Sequence, residues 1–495
     1  MITQLHTPEQ AANWLRKRVT GRLLTDSRKV CSGDGFIAWP GAANDARQYV
    51  DDVLKTGAQA CLVEEQGAQQ YGFSDARVAA YAGLKEAAAP IAAAYFEEPS
   101  KQLQTIAITG TNGKTSTAWW LAQALAKLGR KCGVVGTLGI GAPDAMVFNG
   151  LTTPDPVLLQ QQLRRFVDEG FVACAIEASS IGIAEQRLDA THLQVAVFTN
   201  FTQDHLDYHG SMDAYWDAKA SLFAWPGLES AVINIDDAKG EALSAALANS
   251  SLQIWTVSLN GPARIEAHAI RQSSQSLVFD VVEGGEQHTV STTTIGLYNV
   301  SNLLGVVGAL RALGVSLKDA ARACTGLSPV PGRLNTLAVD GAPLVVIDYA
   351  HTPDAIEKVL TALRPVAQGR AGRLWCVFGC GGERDATKRP LMAAAAQKNA
   401  DQIVVTSDNP RSENSAAIIS QILLGLTHSE AVYVQADRAL AIAETLALAQ
   451  PDDVVLLAGK GHENYQEIGG IKYPFVDREH AQAALAARLL KGGAQ

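Results

Sequence analysis

Residues 105–125, TIAITGTNGKTSTAWWLAQAL, have the types and spacing of a phosphate-binding turn. An apolar run ends at Gly110, a turn containing Gly113 presents Lys114, and helix-forming residues follow at once. Such a turn aims backbone N–H groups and a helix N-terminus at a phosphate, while the lysine adds a point charge and Thr115 a metal-facing hydroxyl. The spacing is a short variant, because Ile108 stands where the first glycine of the usual pattern would fall. Gly110, Thr111, Asn112, Gly113, Lys114, Thr115 and Ser116 are the candidate nucleotide loop.

Other chemistry-bearing residues also follow apolar runs. Glu177 closes VACAIE, where a carboxylate would be costly to bury unpaired but could face the ligand crevice of an open α/β sheet. His205 and His209 lie in TNFTQDHLDYHG (199–210), and either could ligate metal or simply be hydrogen-bonded. Lys219, in MDAYWDAKASLF, reads by itself as a solvated helix lysine. Asn299, Asn302, Arg333 and Asp348 occupy short polar breaks beside apolar runs. Arg333 falls within SPVPGRLN (328–335), whose two prolines and glycine predict an interdomain hinge, so closure could carry it over the phosphates.

These residues need elements to hold them. Helix formation is expected from Thr7-Pro8, and strands at GFIAW (35–39) and ACLVE (60–64). FEEPS (96–100) marks a boundary. Beyond it, LQTIAIT, CGVVGT, FVACAIEA, LQVAVFTNF and SAVINID alternate with helical stretches, the pattern of a parallel sheet covered on both faces. Residues 262–295 are polar, alternating and glycine-punctuated, predicting an antiparallel edge, and a helix is expected around 299–313. After the hinge, LVVIDY, RLWCVFG, DQIVVTSD, AVYVQ and DVVLLAG predict a second doubly wound unit. The fold class is α/β in three domains: an N-terminal mixed α/β domain over 1–98, a central P-loop-type α/β domain over 99–330, and a C-terminal Rossmann-like α/β domain over 331–495.

Composition excludes several classes. The 495 residues carry 41 basic and 50 acidic side chains, a formal charge of −9, and are 47% hydrophobic. That is the make-up of a folded enzyme. No apolar run approaches the roughly 20 residues of a membrane span, and the amino terminus lacks the order of a signal peptide. An acidic balance without basic runs disfavours nucleic acid. Seven scattered cysteines read as reduced, mostly core thiols of a cytoplasmic protein. Without heptads or an apolar surface stripe, a monomer is expected.

Taken together, GTNGKT, EASS, TNFTQDHLDYHG, DAKASLF, YNVSN, GRLN and DYAHTPD resemble the Mur ligases, which build the peptidoglycan stem peptide by ATP-driven amide formation. With DSR (26–28) and GDGFIAWPG (33–41), the resemblance spans nearly the whole chain. It is strongest to the members that add the third residue to UDP-MurNAc-L-Ala-D-Glu. Asp408-Asn409-Pro410-Arg411 goes, in that branch, with meso-diaminopimelate. The resemblance implies that Lys114 and the 110–116 loop hold the ATP phosphates, with Thr115 and Glu177 on one Mg2+. It gives His205 and Lys219 to a second Mg2+, Lys219 as a carbamate formed with carbon dioxide. Asn299, Arg333 and Asp348 would complete the ATP site. The D-Glu side-chain carboxylate would attack the γ-phosphate, and an amine of diaminopimelate would attack the resulting acyl phosphate.

For the amino acid, the resemblance implies Arg384, Asp408, Asn409, Pro410, Arg411, Gly459 and Glu463. An arginine fork at Arg411 suits the distal carboxylate of meso-diaminopimelate, and Glu463 its ammonium. For UDP-MurNAc-L-Ala-D-Glu it implies Thr25, Ser27, Thr152, Thr153, Ser179, Glu185 and Arg187. Here the chain departs from the pattern: Ile181 replaces a common histidine, Glu185 an expected glutamine, and Ala42 and Ala43 a more polar stretch. Acidic Glu185 beside a diphosphate is unfavourable unless Arg187 or a proton compensates. The alternatives are a ligase of this type adding L-lysine or another diamine, a folylpolyglutamate synthetase-like ligase, and an ATP-driven switch that makes no bond. A threonine after the loop lysine and the DSR-type domain argue against the folate enzyme, and Arg411 argues against lysine.

Overall fold

The helix expected from Thr7-Pro8 runs over Pro8–Arg16, with Thr7 extended and its hydroxyl accepting the Gln10 N–H. The computed structural model describes residues 2–41, 44–273, 276–427 and 432–492, so Ala42 and Ala43 lie outside the described residues. Next to this helix, Thr3–Leu5, Val78–Tyr81, Ala60–Glu64, Gly35–Ala38 and Leu23–Leu24 form an all-parallel sheet in that order. Its three middle strands are buried throughout. Successive residues alternate between two cores: Ala60 and Leu62 pack with Leu15 and Ile91, whereas Cys61 and Val63 pack with Phe36 and Val53. Both faces are therefore covered, which is why these strands read as continuous apolar runs. At FEEPS, Glu97 and Glu98 both take left-handed φ, at 62° and 48°, and a 3-10 turn follows over Pro99–Gln102.

The chain divides into two compact units. One comprises Met1–Thr109, Leu125–Ala196 and Ala218–Ala231; the other comprises Gly110–Ala124, Val197–Asp217 and Val232–Gln495. In the first unit, Gln104–Thr109, Ala173–Glu177 and Cys132–Gly136 pair in parallel, and Gly139–Gly141 adds an antiparallel edge.

In the second unit, the alternating stretch forms the expected antiparallel ladder of Ile265–Gln272, Leu277–Glu283 and Glu286–Thr292. The following helix spans Leu297–Ala312 and so begins two positions before the expected 299, directly after Gly296. Six strands then order as Asn335–Leu337, Leu344–Asp348, Val454–Ala458, Leu374–Phe378, Gln402–Val405 and Tyr433–Val434. All pairs are parallel except the first, where the tail of the predicted hinge pairs antiparallel to the strand that ends at Asp348. Helices Pro353–Gly369, Lys388–Asn399 and Ser415–Leu423 cover one face, and Arg438–Leu448 and Asp477–Gly492 the other. This is the doubly wound unit expected. A hairpin of Tyr465–Ile468 and Ile471–Pro474 was not legible in the sequence. Among the described residues six cysteines are buried, Cys31 is exposed, and no helix is long and apolar enough to cross a membrane.

Candidate active site

The nucleotide loop is built as the spacing predicts. The strand Gln104–Thr109 ends at Gly110, and the helix Lys114–Lys127 starts at the lysine. Gly110 and Gly113 take φ of 137° and 87°, the left-handed side that favours glycine. A Cβ on Gly110 would overlap Thr199 Oγ1, and one on Gly113 would overlap Asn302 Oδ1. Lys114 Nζ donates to the carbonyls of Gly110, at 2.9 Å, and Thr111, at 2.8 Å. Both of these acceptors belong to the loop, so the ammonium is folded back over it.

Residues 199–205 fasten this loop from the side. Asn200 accepts the Asn112 N–H at 2.9 Å and donates from Nδ2 to the Asn112 carbonyl at 3.1 Å. Thr199 Oγ1 donates to that same carbonyl at 2.6 Å. Thr111 Oγ1 donates to the Thr202 carbonyl and lies 3.1 Å from the Tyr215 hydroxyl. His205 adopts φ 54°, and its Nε2 lies 3.5 Å from Asp204 Oδ2. Asp204 is buried and receives Lys388 Nζ at 3.1 Å, with His351 Nε2 at 3.9 Å. Burial alone would raise the Asp204 carboxyl, but Lys388, His205 and His351 together hold it well below the usual range. Burial and the neighbouring Lys388 push His351 down to about 4.

Arg333 reaches the same loop: its Nη2 lies 3.2 Å from Thr115 Oγ1, and its guanidinium stacks over Tyr349 at 4.6 Å. Asp348 does not project as a free carboxylate. Its oxygens accept the backbone N–H groups of Leu334 and Ala350, both at 2.8 Å, and thereby shape the segment that carries Arg333. Burial raises its carboxyl, with Arg333 opposing. Asn299 is likewise internal, donating to Ile295 O at 2.7 Å and accepting from Asn302 at 3.2 Å. It holds the residue against which Gly113 packs.

The candidate amino-acid residues also converge. Asn409 Nδ2 donates to Glu463 Oε2 at 2.8 Å, and Lys460 Nζ donates to Asn409 Oδ1 at 3.1 Å and Glu463 Oε2 at 2.9 Å. Gly459 takes φ 111°, and a Cβ there would overlap Asp408 Oδ2. Burial and the nearby Asp408 raise the Glu463 carboxyl, with Lys460 opposing. Arg411, at φ 54°, donates from Nη1 to Gly382 O at 2.5 Å, and its Nε lies 3.8 Å from Glu467. Arg384 is exposed and donates to Glu383 O at 2.9 Å. A Cβ on Gly381 would stand 3.0 Å from Arg411 Nη1 and 3.7 Å from Arg384 Cγ, so both arginines approach that glycine.

In the first unit, Glu177 is 1% exposed and accepts both the N–H of Thr137, at 2.8 Å, and its hydroxyl, at 3.1 Å. Gly136 makes room, since a Cβ there would overlap the Glu177 carboxylate. Thr137 Oγ1 in turn lies 3.0 Å from Thr152 Oγ1. Thr153 Oγ1 donates to Glu177 O at 2.7 Å and is 2.9 Å from Ser179 Oγ, while Arg187 donates to Thr153 O at 2.9 Å. Thr25 hydrogen-bonds Asp155, and Ser27 begins a short 3-10 turn. Glu185 pairs with Lys85 at 3.0 Å. Lys219 is 1% exposed, which overturns its surface reading. Sequence reasoning also missed Lys460, Thr137, Asp204, Lys388 and Lys85. The first two directly follow apolar strands, the same signal that marked Glu177 and Asp348.

Fold and site together define a nucleotide-using α/β ligase class. Residues 108–310 match the Mur ligase middle domain, and residues 332–461 the Mur ligase glutamate ligase domain. The chain is 56% identical over 491 residues to the UDP-N-acetylmuramoyl-L-alanyl-D-glutamate–2,6-diaminopimelate ligase of Acidovorax sp. (strain JS42), covering 98% of each. A solved structure of a ligase of that name is 34% identical at a TM-score of 0.63, covering 94% of this chain and 95% of its own. The chain belongs to the Mur ligase family. The fold alone is shared with a Mycobacterium tuberculosis folylpolyglutamate synthase solved with ADP and AMPPCP, at 20% identity and a TM-score of 0.61. That match covers 76% of this chain and 92% of the synthase.

Proposed function

We propose that this chain uses ATP to join meso-diaminopimelate to the D-Glu side-chain carboxylate of UDP-MurNAc-L-Ala-D-Glu, in peptidoglycan precursor synthesis. Near-complete alignment at 56% identity with a ligase of that name carries the reading. The three domains proposed are 1–98 for the UDP-substrate, 99–330 for ATP and 331–495 for the amino acid, acting as a monomer in the cytoplasm.

The γ-phosphate is to be held by the 110–116 loop and Lys114, with Arg333 delivering a second cation beside Thr115. The substrate carboxylate attacks the γ-phosphorus, ADP leaves, and an acyl phosphate forms. The free amine of diaminopimelate then attacks the acyl carbon, phosphate departs, and the amine gives up its proton. Asp408, Asn409, Arg411 and Glu463 orient that amino acid. Thr25, Ser27, Thr152, Thr153, Ser179, Glu185 and Arg187 orient the UDP-substrate.

The donor set fits Mg2+, a hard cation that takes one or two protein oxygens and fills its shell with phosphates and water. Thr115 and Glu177 would serve one Mg2+, and His205 and Lys219, the latter as a carbamate, a second. Bound magnesium would neutralise phosphate charge.

The test is phosphate release from ATP with UDP-MurNAc-L-Ala-D-Glu and, in turn, meso-diaminopimelate, L-lysine or no amino acid, with product mass as the readout. Turnover and added mass with meso-diaminopimelate alone is expected. Equal use of lysine would remove the specificity assigned to Arg411, and turnover without added mass would favour a switch.

A further inference from the structure

Beside the candidate amino-acid residues lies an ion pair that includes none of them, between a buried arginine and a half-buried glutamate. Arg389, at the start of the helix Lys388–Asn399, is 1% exposed. Its guanidinium grips Glu413 with two parallel bonds, Nη1 to Oε2 and Nη2 to Oε1, both at 2.9 Å. Nη1 also donates to Gln421 Oε1 at 2.7 Å, and Nη2 to the Gly381 carbonyl at 3.2 Å. Glu413 further accepts the Glu383 N–H, and the Gly382 N–H donates to Asn409 O at 2.9 Å. The 381–383 loop is thus stitched to the 408–413 turn by direct hydrogen bonds and, through Arg389, by the Gly381 carbonyl. The approach requires Gly382, where a Cβ would overlap the Pro410 carbonyl.

That loop supplies the carbonyl on Arg411. With Gly382 O on Nη1 and Glu467 on the Nε side, the Arg411 fork is constrained at two of its nitrogens. The Arg411 backbone is held too, donating to Glu467 O at 3.0 Å and accepting from Gly469 N at 2.7 Å. Bidentate recognition of a carboxylate needs the plane of the fork fixed, because tilting it breaks one of two bonds. Burying an arginine for stability alone is poor economy, since apolar packing does as well or better. Among the described residues, the buried Arg389 Nε also finds no hydrogen-bond partner, a further cost.

We propose that the Arg389–Glu413 pair is a positioning device for substrate selection, which aims Arg411 at the distal carboxylate of the diamino acid by holding the Gly381-Gly382 carbonyls in place. It rests on the function proposed above. Neither Arg389 nor Glu413 is among the residues proposed to contact substrate.

The experiment compares Arg389→Lys and Glu413→Gln with the unaltered full-length chain. Arg389→Lys keeps the charge but cannot make the two parallel hydrogen bonds. Glu413→Gln, at a side chain 33% exposed, keeps the shape and decides the matter should the lysine variant fail to fold. Readouts are circular dichroism, kcat and KM for each substrate, and the preference for meso-diaminopimelate over L-lysine. Expected are native spectra, a rise of about tenfold or more in KM for meso-diaminopimelate, a comparable fall in preference, and KM for ATP within about twofold. Glu413→Asp should recover part of the loss. Unchanged diaminopimelate kinetics, or equal rises in both KM values, would overturn the inference alone. No turnover of meso-diaminopimelate by the unaltered chain would overturn the proposed function, and this with it.

Discussion

An acidic residue beside a diphosphate-bearing substrate repels it, and Glu185 carries its own remedy. Lys85 stands 3.0 Å away, with the two side chains 44% and 32% exposed. A pair this exposed adds at most about 1 kcal/mol to stability. Its use is electrostatic: the glutamate enters the proposed nucleotide-sugar site as half of a neutral pair. Arg187, considered from sequence as the compensating group, donates to Thr153 O. Lys85→Met should therefore raise KM for UDP-MurNAc-L-Ala-D-Glu by about fivefold, equivalent to roughly 1 kcal/mol, with kcat little changed. Adding Glu185→Gln should return KM towards the parent value. Steady-state kinetics on the single and double variants decide it, and a double variant no better than Lys85→Met would refute the pairing. No sequence pattern links positions 85 and 185, so only the fold could show this partner.

At the scale of elements, the nucleotide loop is one strand end, two glycines and a helix start, all readable in order from residues 105–125. What fastens it was readable only in part. The TNFTQDH segment stood out for its histidine, yet Thr199, Asn200 and Thr202 make the bonds to the loop. Gly110 is the tightest point, with φ 137° and no room for a Cβ against Thr199. Gly110→Ala should lower ATP affinity by about a hundredfold or more, since a misplacement near 1 Å at such a site costs that much. Titration calorimetry with ATP gives the measurement, alongside circular dichroism expected to stay native. Thr199→Ala in the same chain removes the overlap but not the unfavourable φ, so recovery should be partial. Binding at the parent affinity in Gly110→Ala would show that the loop tolerates a different path.

Across the whole molecule, every residue assigned to the UDP-substrate falls in one compact unit, and the phosphate loop and amino-acid residues fall in the other. The amino-terminal sheet of the first unit is tied at its rim by Asp45, which accepts Arg47 Nη2 at 2.7 Å and the Tyr71 hydroxyl at 2.8 Å. The Arg47 hydrogen bonds, aided by Tyr71 and opposed by burial, hold Asp45 at about 2. A carboxyl depressed in the folded state stabilises fully above its unfolded value near 4 and loses that contribution as pH falls towards 2. Asp45→Asn should cost up to about 2 kcal/mol at pH 7 and converge with the parent at acid pH. Urea denaturation at pH 7, 4 and 3 measures it, and a constant difference across that range would contradict the assignment.

Short-range order is what the sequence determined. Apolar runs bounded by glycine and proline became strands, the Thr7-Pro8 cap started its helix, and the loop glycines sit where left-handed φ is needed. Such features depend on residues a few positions apart, whose steric and hydrogen-bonding preferences act whatever lies beyond. Family membership was legible for the same reason, since it rests on the order of local motifs. Tertiary structure alone decided which charges meet. Lys219 reads as a surface lysine and is 1% exposed; Asp348 and Glu463 read as ligand-facing acids and already hold Leu334, Ala350, Lys460 and Asn409. Arg389 and Glu413 lie far apart in the sequence, yet their side chains meet through two parallel hydrogen bonds at 2.9 Å. Burial and pairing at long sequence separation follow from how sheets and helices stack, and no local preference encodes them.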